Sequence, residues 1–208
     1  MKKFPKAGLL IITLVIPALI FVLLKLFATN HYDLPYFNPK LGADQNVEIV
    51  NGDTVFQKIS ELRLSTGNVK LEDQLSVVSV LQADCGETCK LVLSNLQRIY
   101  DLRSGIEKLN IVTLSKDSLS ASTEFRDLGN PGWNVVTAKD ANIADVLNSQ
   151  SAAFKKMLEL YSNGSGLMLI DRRGYTRGYY NGADPEEVDR LMAEIKILNY
   201  EDKASANP

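Results

Sequence analysis

Seven residues near the middle of the chain, Leu75–Leu81, read LSVVSVL. Apolar and β-branched residues fall at both phases of the strand repeat, so neither face of such a strand tolerates water. That is the pattern of a central strand with layers packed on both sides, and it points to an α/β arrangement. The segment after it, Gln82 to Cys89, reads QADCGETC. A helix is expected beyond it, over Thr88–Arg103, with Val92, Leu96, Ile99 and Tyr100 at helical spacing.

The remaining periodicities alternate strand and helix. Short extended pieces are expected at Glu61–Ser65 and Val69–Leu71, joined by a turn at Gly67-Asn68. Leu109–Leu114 reads as a second buried strand and Trp133–Thr137 as a third, after the Asn130-Pro131-Gly132 break. Ser122–Leu128 is a short helix candidate, and Ile143–Leu160 contains helix in one or two pieces. Gly166–Ile170 and Tyr175–Tyr180 form a hairpin around Arg172-Arg173-Gly174. A last helix spans 185–198. Asp184 suits its N-cap, Pro185 its first position and Glu187 a capping box, while Val188, Leu191, Met192, Ile195 and Leu198 make its core face. The cysteine pair at a strand–helix junction narrows this mixed sheet flanked by helices to a thioredoxin-like α/β architecture.

The amino end reads differently. Lys2, Lys3 and Lys6 precede an uncharged apolar run long enough for a bilayer crossing. We read 1–8 as a cytoplasmic flank, 9–27 as a transmembrane anchor with Pro17 inside it, 28–50 as a linker, 51–198 as the domain and 199–208 as a polar, frayed tail. The lysine cluster predicts a single-pass protein of the cytoplasmic (inner) membrane, its domain facing the periplasm. A cleaved signal peptide is the competing reading, against which stand the length of the run and the poor cleavage site around Ala28. Residues 1–32 hold four lysines and no acid, so the remainder carries −6 against a whole-chain charge of −2. An acidic domain argues against nucleic acid as a partner. His31 is the one histidine and lies in the linker, so histidine-based acid–base catalysis in the domain is excluded.

Cys85 and Cys89 are the two cysteines of the chain. A structural disulfide is one reading, but so small a loop removes little chain entropy. A helix start favours thiolate, whereas Asp84 and Glu87 oppose it. Four residues apart on a helical turn, the sulfurs share a face and suit a disulfide or one soft metal ion, with Cu(I) the metal that thiolates select. Arg172, Arg173 and Arg177 are expected as a solvated turn, or else as a contact for an acidic partner. Tyr175, Tyr179 and Tyr180 are expected to pack on the sheet or its edge.

Several blocks together resemble the SCO/SenC family of thioredoxin-like proteins, in particular its Bacteroidetes-type members. They are the anchor, the Asn68–Asp73 turn and LED segment, the CxxxC after a buried strand, IVTLSKD (Ile111–Asp117), the Trp133 strand, and LIDRRGYTRGYYNG (Leu169–Gly182) followed by DPEEVDRLMAEIKIL. The resemblance covers about 45–198. It implies copper binding by two cysteines and a downstream histidine, and delivery of copper to, or thiol reduction in, the copper site of cytochrome c oxidase. Cys85 and Cys89 match the family cysteines. The histidine position falls near Asn163, an amide and a poor copper ligand. Met157 and Met168 are soft substitutes by chemistry, but their settings favour the core. The expected functions are therefore Cu(I) handling or thiol reduction by the pair. The alternatives are a metal-independent thiol–disulfide oxidoreductase or redox sensor, and a binding scaffold with a structural disulfide.

Overall fold

The computed structural model describes residues 6–27, 34–64, 67–81, 86–115, 128–137, 147 and 150–206; in the first helix, side chains are described for 12–23. The chain divides into two compact units, Met1–Asp33 and Leu34–Pro208. In the first, α1 runs over Lys6–Phe27, and Pro17 lies inside it. Among the described residues no helix is long and apolar enough to cross a membrane.

The second unit opens with a small meander holding β1 (Ile49–Val50) and β2 (Asp53–Thr54), followed by the hairpin β3 (Glu61–Leu64) and β4 (Gly67–Lys70). The main sheet then uses β5 (Leu75–Leu81), β6 (Leu109–Ser115), β7 (Trp133–Thr137), β8 (Gly166–Ile170) and β9 (Thr176–Asn181), in the order β7-β6-β5-β8-β9. β5 pairs parallel with β6 and antiparallel with β8, β6 pairs parallel with β7, and β8 pairs antiparallel with β9. Its helices are α2 (Gly86–Asp101) between β5 and β6, α3 (Ala152–Leu160) before β8, and α4 (Pro185–Ala206) after β9. A parallel strand–helix–strand unit, an antiparallel hairpin added to its first strand and a closing helix make a thioredoxin-like fold with a mixed sheet.

Every residue of β5 is buried, as its two-phase apolar pattern requires. Leu75, Val77 and Leu81 face α2 and α4, packing with Ile111, Trp133, Leu96 and Ile195. Val78 and Val80 face Phe154 and Met157 of α3 and Leu62 of β3. Three polar side chains inside this sheet, Ser79, Thr113 and Trp133, satisfy one another. Ser79 Oγ donates to Thr113 Oγ1 at 3.0 Å, and the buried Trp133 indole donates to the same oxygen at 3.0 Å.

Several expectations are corrected. Helix α2 begins at Gly86 and ends at Asp101, where a 3-10 turn over Leu102–Ser104 takes over. The expected linker is short, because from Leu34 onward the chain is fastened to the domain: Phe37 N donates to Thr176 O at 3.0 Å, and Leu34 and Phe37 pack against the two cores. The expected frayed tail is helical through Ala206, since Arg172 holds Asp202 and Asn199. Asp184 caps α4 through the Glu186 amide at 2.9 Å, but the capping box does not close: Asp184 N donates to Asn181 O, and Glu187 receives Arg190 instead. Of the helix candidate Ser122–Leu128, only Leu128 is described and lies in a turn, while 122–127 and most of 143–149 lie outside the described residues, as do His31, Asp84 and Cys85.

Candidate functional site

β5 delivers the chain to its carboxyl end, where α2 starts. Cys89 is the fourth residue of that helix, so it lies in the first turn, among amides that have no intrahelical acceptor. A helix start acts in favour of a thiolate there, with Asp84, close in sequence, acting against it. Glu87 would oppose it, but its carboxylate is paired with Lys90 at 2.9 Å. Both partners are well exposed, so the pair is screened and its effect small. Cys89 is half-buried against the α2–α4 core and is disulfide-bonded. Cys85 is the one other cysteine in the sequence.

Because β8 is antiparallel to β5, its amino end shares this pole of the sheet. The turn before β8 carries Asn163, which is exposed. Its Oδ1 accepts from Ser165 N at 3.1 Å and from Ser165 Oγ at 2.8 Å, so the amide oxygen is committed to shaping its own turn. A chain of bonds then ties this turn to the cysteine helix. Gly182 N donates to Ser165 O at 2.6 Å, and the buried Asn95 of α2 donates from Nδ2 to Gly182 O at 2.9 Å. Asn95 also accepts from Arg98 at 3.1 Å, and Arg98 reaches Asp189 of α4 at 2.5 Å. Sequence reading missed Asn95. Its signal was a lone amide among Val92, Leu96 and Ile99 on an apolar helix face.

The methionines belong to the core. Met157 and Met168 are 1% and 0% exposed on the α3 side of the sheet, and the Met168 sulfur accepts the Thr176 hydroxyl. Among the described residues no three His, Cys, Asp or Glu side chains are grouped to hold a metal ion.

The arginine cluster is a correction of a different kind for Arg172 and Arg177, which act as a clamp, whereas Arg173 stays an exposed turn residue. Arg177 is 3% exposed and pairs with the equally buried Asp171 at 3.0 Å. It also donates to Leu34 O at 2.6 Å and Pro35 O at 3.2 Å, and its guanidinium lies 4.1 Å from the Tyr36 ring centre. Arg173 bonds the Tyr36 hydroxyl, and Arg172 donates to Glu107 O at 2.8 Å. The tyrosines pack at the sheet and its edge. Burial pushes Tyr179 up to about 12, against the opposing bonds from Asn38 and Thr176. Burial and the Glu194 carboxylate, 2.5 Å from its hydroxyl, push Tyr180 up as well.

No family model matches the chain, and no curated protein matches it. Solved structures are similar to it. A SCO1/SenC family lipoprotein from Bacillus anthracis is 17% identical, over 68% of this chain and 92% of its own, with a TM-score of 0.45. Arabidopsis thaliana ScoI with copper bound is 14% identical, over 70% and 98%, at 0.45. A putative thiol:disulfide interchange protein DsbE from Chlorobium tepidum is 16% identical, over 67% and 92%, at 0.44. The fold assignment rests on the strand order and pairing given above and not on these likenesses.

Proposed function

We propose that this protein is a membrane-anchored SCO-like factor whose Cys85–Cys89 pair cycles between dithiol and disulfide. In the dithiol state it handles Cu(I) or keeps the cysteines of a copper-site partner reduced. The partner class is a cytochrome c oxidase subunit, and the place is the periplasmic side of the inner membrane. One observation carries the reading: Cys89, in a disulfide, occupies the first turn of the helix that leaves the central buried strand of a thioredoxin-like sheet. The apolar α1 and the lysines before it support the anchor. The sequence blocks shared with the SCO/SenC family support the copper side.

Copper here is cargo. Two thiolates suit Cu(I), which accepts few ligands. A Cu(II) site would want an imidazole, and the sole histidine precedes the domain. Asn163 spends its oxygen on Ser165, and both methionines are sealed in the core. These same facts favour a second reading, a thiol–disulfide oxidoreductase that handles no metal. In that case one sulfur attacks a substrate disulfide, and the other then displaces the mixed disulfide, releasing the substrate as dithiol.

Titration of the phosphine-reduced full chain in detergent with Cu(I) and with Cu(II) separates them. The copper reading expects stoichiometric Cu(I) retention against a moderate competitor, its loss in Cys89→Ser, and no stable Cu(II) complex. Failure to retain Cu(I) leaves the oxidoreductase reading.

A further inference from the structure

Among the described residues of the Leu34–Pro208 unit, four of the seven exposed large apolar side chains fall in one short stretch. Leu41, Val47, Ile49 and Val50 are 53%, 42%, 64% and 50% exposed, all within ten residues, whereas Leu91, Leu160 and Tyr200 are scattered elsewhere. The segment that carries them is built, not loose. Lys40 N donates to Val55 O at 2.8 Å, Glu48 N to Lys40 O at 2.8 Å and Val55 N to Glu48 O at 3.0 Å, and a Lys40–Glu48 ion pair of 2.8 Å lies across the same strands.

The β1–β2 turn is Asn51-Gly52, with φ of 55° and 90°. Two consecutive left-handed residues make the tight turn that suits a two-residue hairpin, and Gly takes that conformation without strain. The hairpin therefore holds Ile49 and Val50 at a fixed tip, in water. Four large apolar side chains exposed on one small, rigid hairpin segment mark a docking surface.

Chain continuity says what covers it. The patch begins at Leu41, and the fastened part of the domain begins at Leu34. Only residues 28–33 separate that point from Phe27, the end of α1. Six residues and their flanking bonds reach about 25 Å when fully extended. With α1 in a bilayer, that short tether keeps Leu34, and the domain edge that starts there, within reach of the lipid surface. The charge of the segment fits a neutral surface: Lys40 and Lys58 are outnumbered by Asp44, Glu48 and Asp53.

We propose that Leu41, Val47, Ile49 and Val50 form a shallow lipid-docking tip that rests on the membrane holding α1. This rests on the membrane-anchored reading above. The tip would act as a second foothold, with the attraction coming from apolar burial and not from anionic headgroups.

The test uses the full chain in phosphatidylcholine vesicles, with Val50→Trp and, separately, Leu19→Trp, and reads quenching by lipids brominated on the acyl chain. Trp133 is buried in the core and supplies a constant background. The expected result is a blue-shifted emission and quenching above the parent for both variants, unchanged when phosphatidylglycerol is added. Quenching at 19 with a water-exposed, unquenched Trp at 50 would overturn the docking tip and leave the patch to a protein partner. Absence of quenching at 19 would instead remove the anchor, and this inference with it.

Discussion

Asp171 is a carboxylate that water does not reach, and its surroundings explain the region around it. It accepts from the amides of Arg173 at 3.0 Å and Tyr175 at 2.9 Å, as well as from Arg177. A buried charge whose partner is removed costs about 3–5 kcal/mol. Arg177→Gln should therefore destabilise the domain by roughly that amount, read as a lowered urea midpoint in Trp133 fluorescence. Arg177→Lys should rescue it only in part, because an ammonium cannot span two carbonyls, a carboxylate and a ring as a planar fork does.

Tyr179 supplies a pH test. Its raised value means that the folded state prefers the neutral phenol. The stability this confers is complete below the ordinary phenol range near pH 10 and is lost as pH climbs toward about 12. Tyr179→Phe should flatten part of the alkaline fall in the urea midpoint while leaving neutral pH with a constant offset from the lost Asn38 bonds of 2.7 and 3.0 Å.

The element that matters most is α2, because its amino end presents Cys89 and its middle is tied to the turn before β8 through Asn95 and Gly182. Asn95→Ala should cost about 1–2 kcal/mol, the usual range for losing a buried bond and stranding a carbonyl. It should also speed reduction of the disulfide by a dithiol, measured as a rate, since the helix start is then less firmly held. For α4, Asp184→Ala should cost about 1 kcal/mol, the typical value of an N-cap. The Glu187→Gln change should cost less, because that side chain pairs with Arg190 in place of closing the box.

Elements of this kind were legible where one physical demand acts over many residues. LSVVSVL is a strand buried on both faces, and β6, β8 and α4 announce themselves by the same continuous or periodic burial. The fastening of 34–39 was not legible. Its bonds join side chains to backbone carbonyls some 140 positions away, which leaves no local period in the sequence. Arg177 looked like a turn residue for the same reason.

For the whole molecule, the α/β class and the thioredoxin-like sheet followed from the order of the apolar segments, and the Cys89 setting followed from a cysteine pair placed where a buried strand meets a helix. What the site does with its sulfurs is a question of energy, because the fold can carry either a reactive pair or an inert staple. A staple and a working pair differ in reduction potential, since structural disulfides resist the glutathione pool and lie below about −300 mV.

The most direct measurement is therefore equilibration of the folded full chain against dithiothreitol and glutathione buffers, with Cys89 trapped by maleimide and Trp133 fluorescence followed in the same samples. The account predicts a reversible two-electron transition above about −300 mV with the core emission unchanged. A disulfide that opens only together with loss of the Trp133 signal would contradict it.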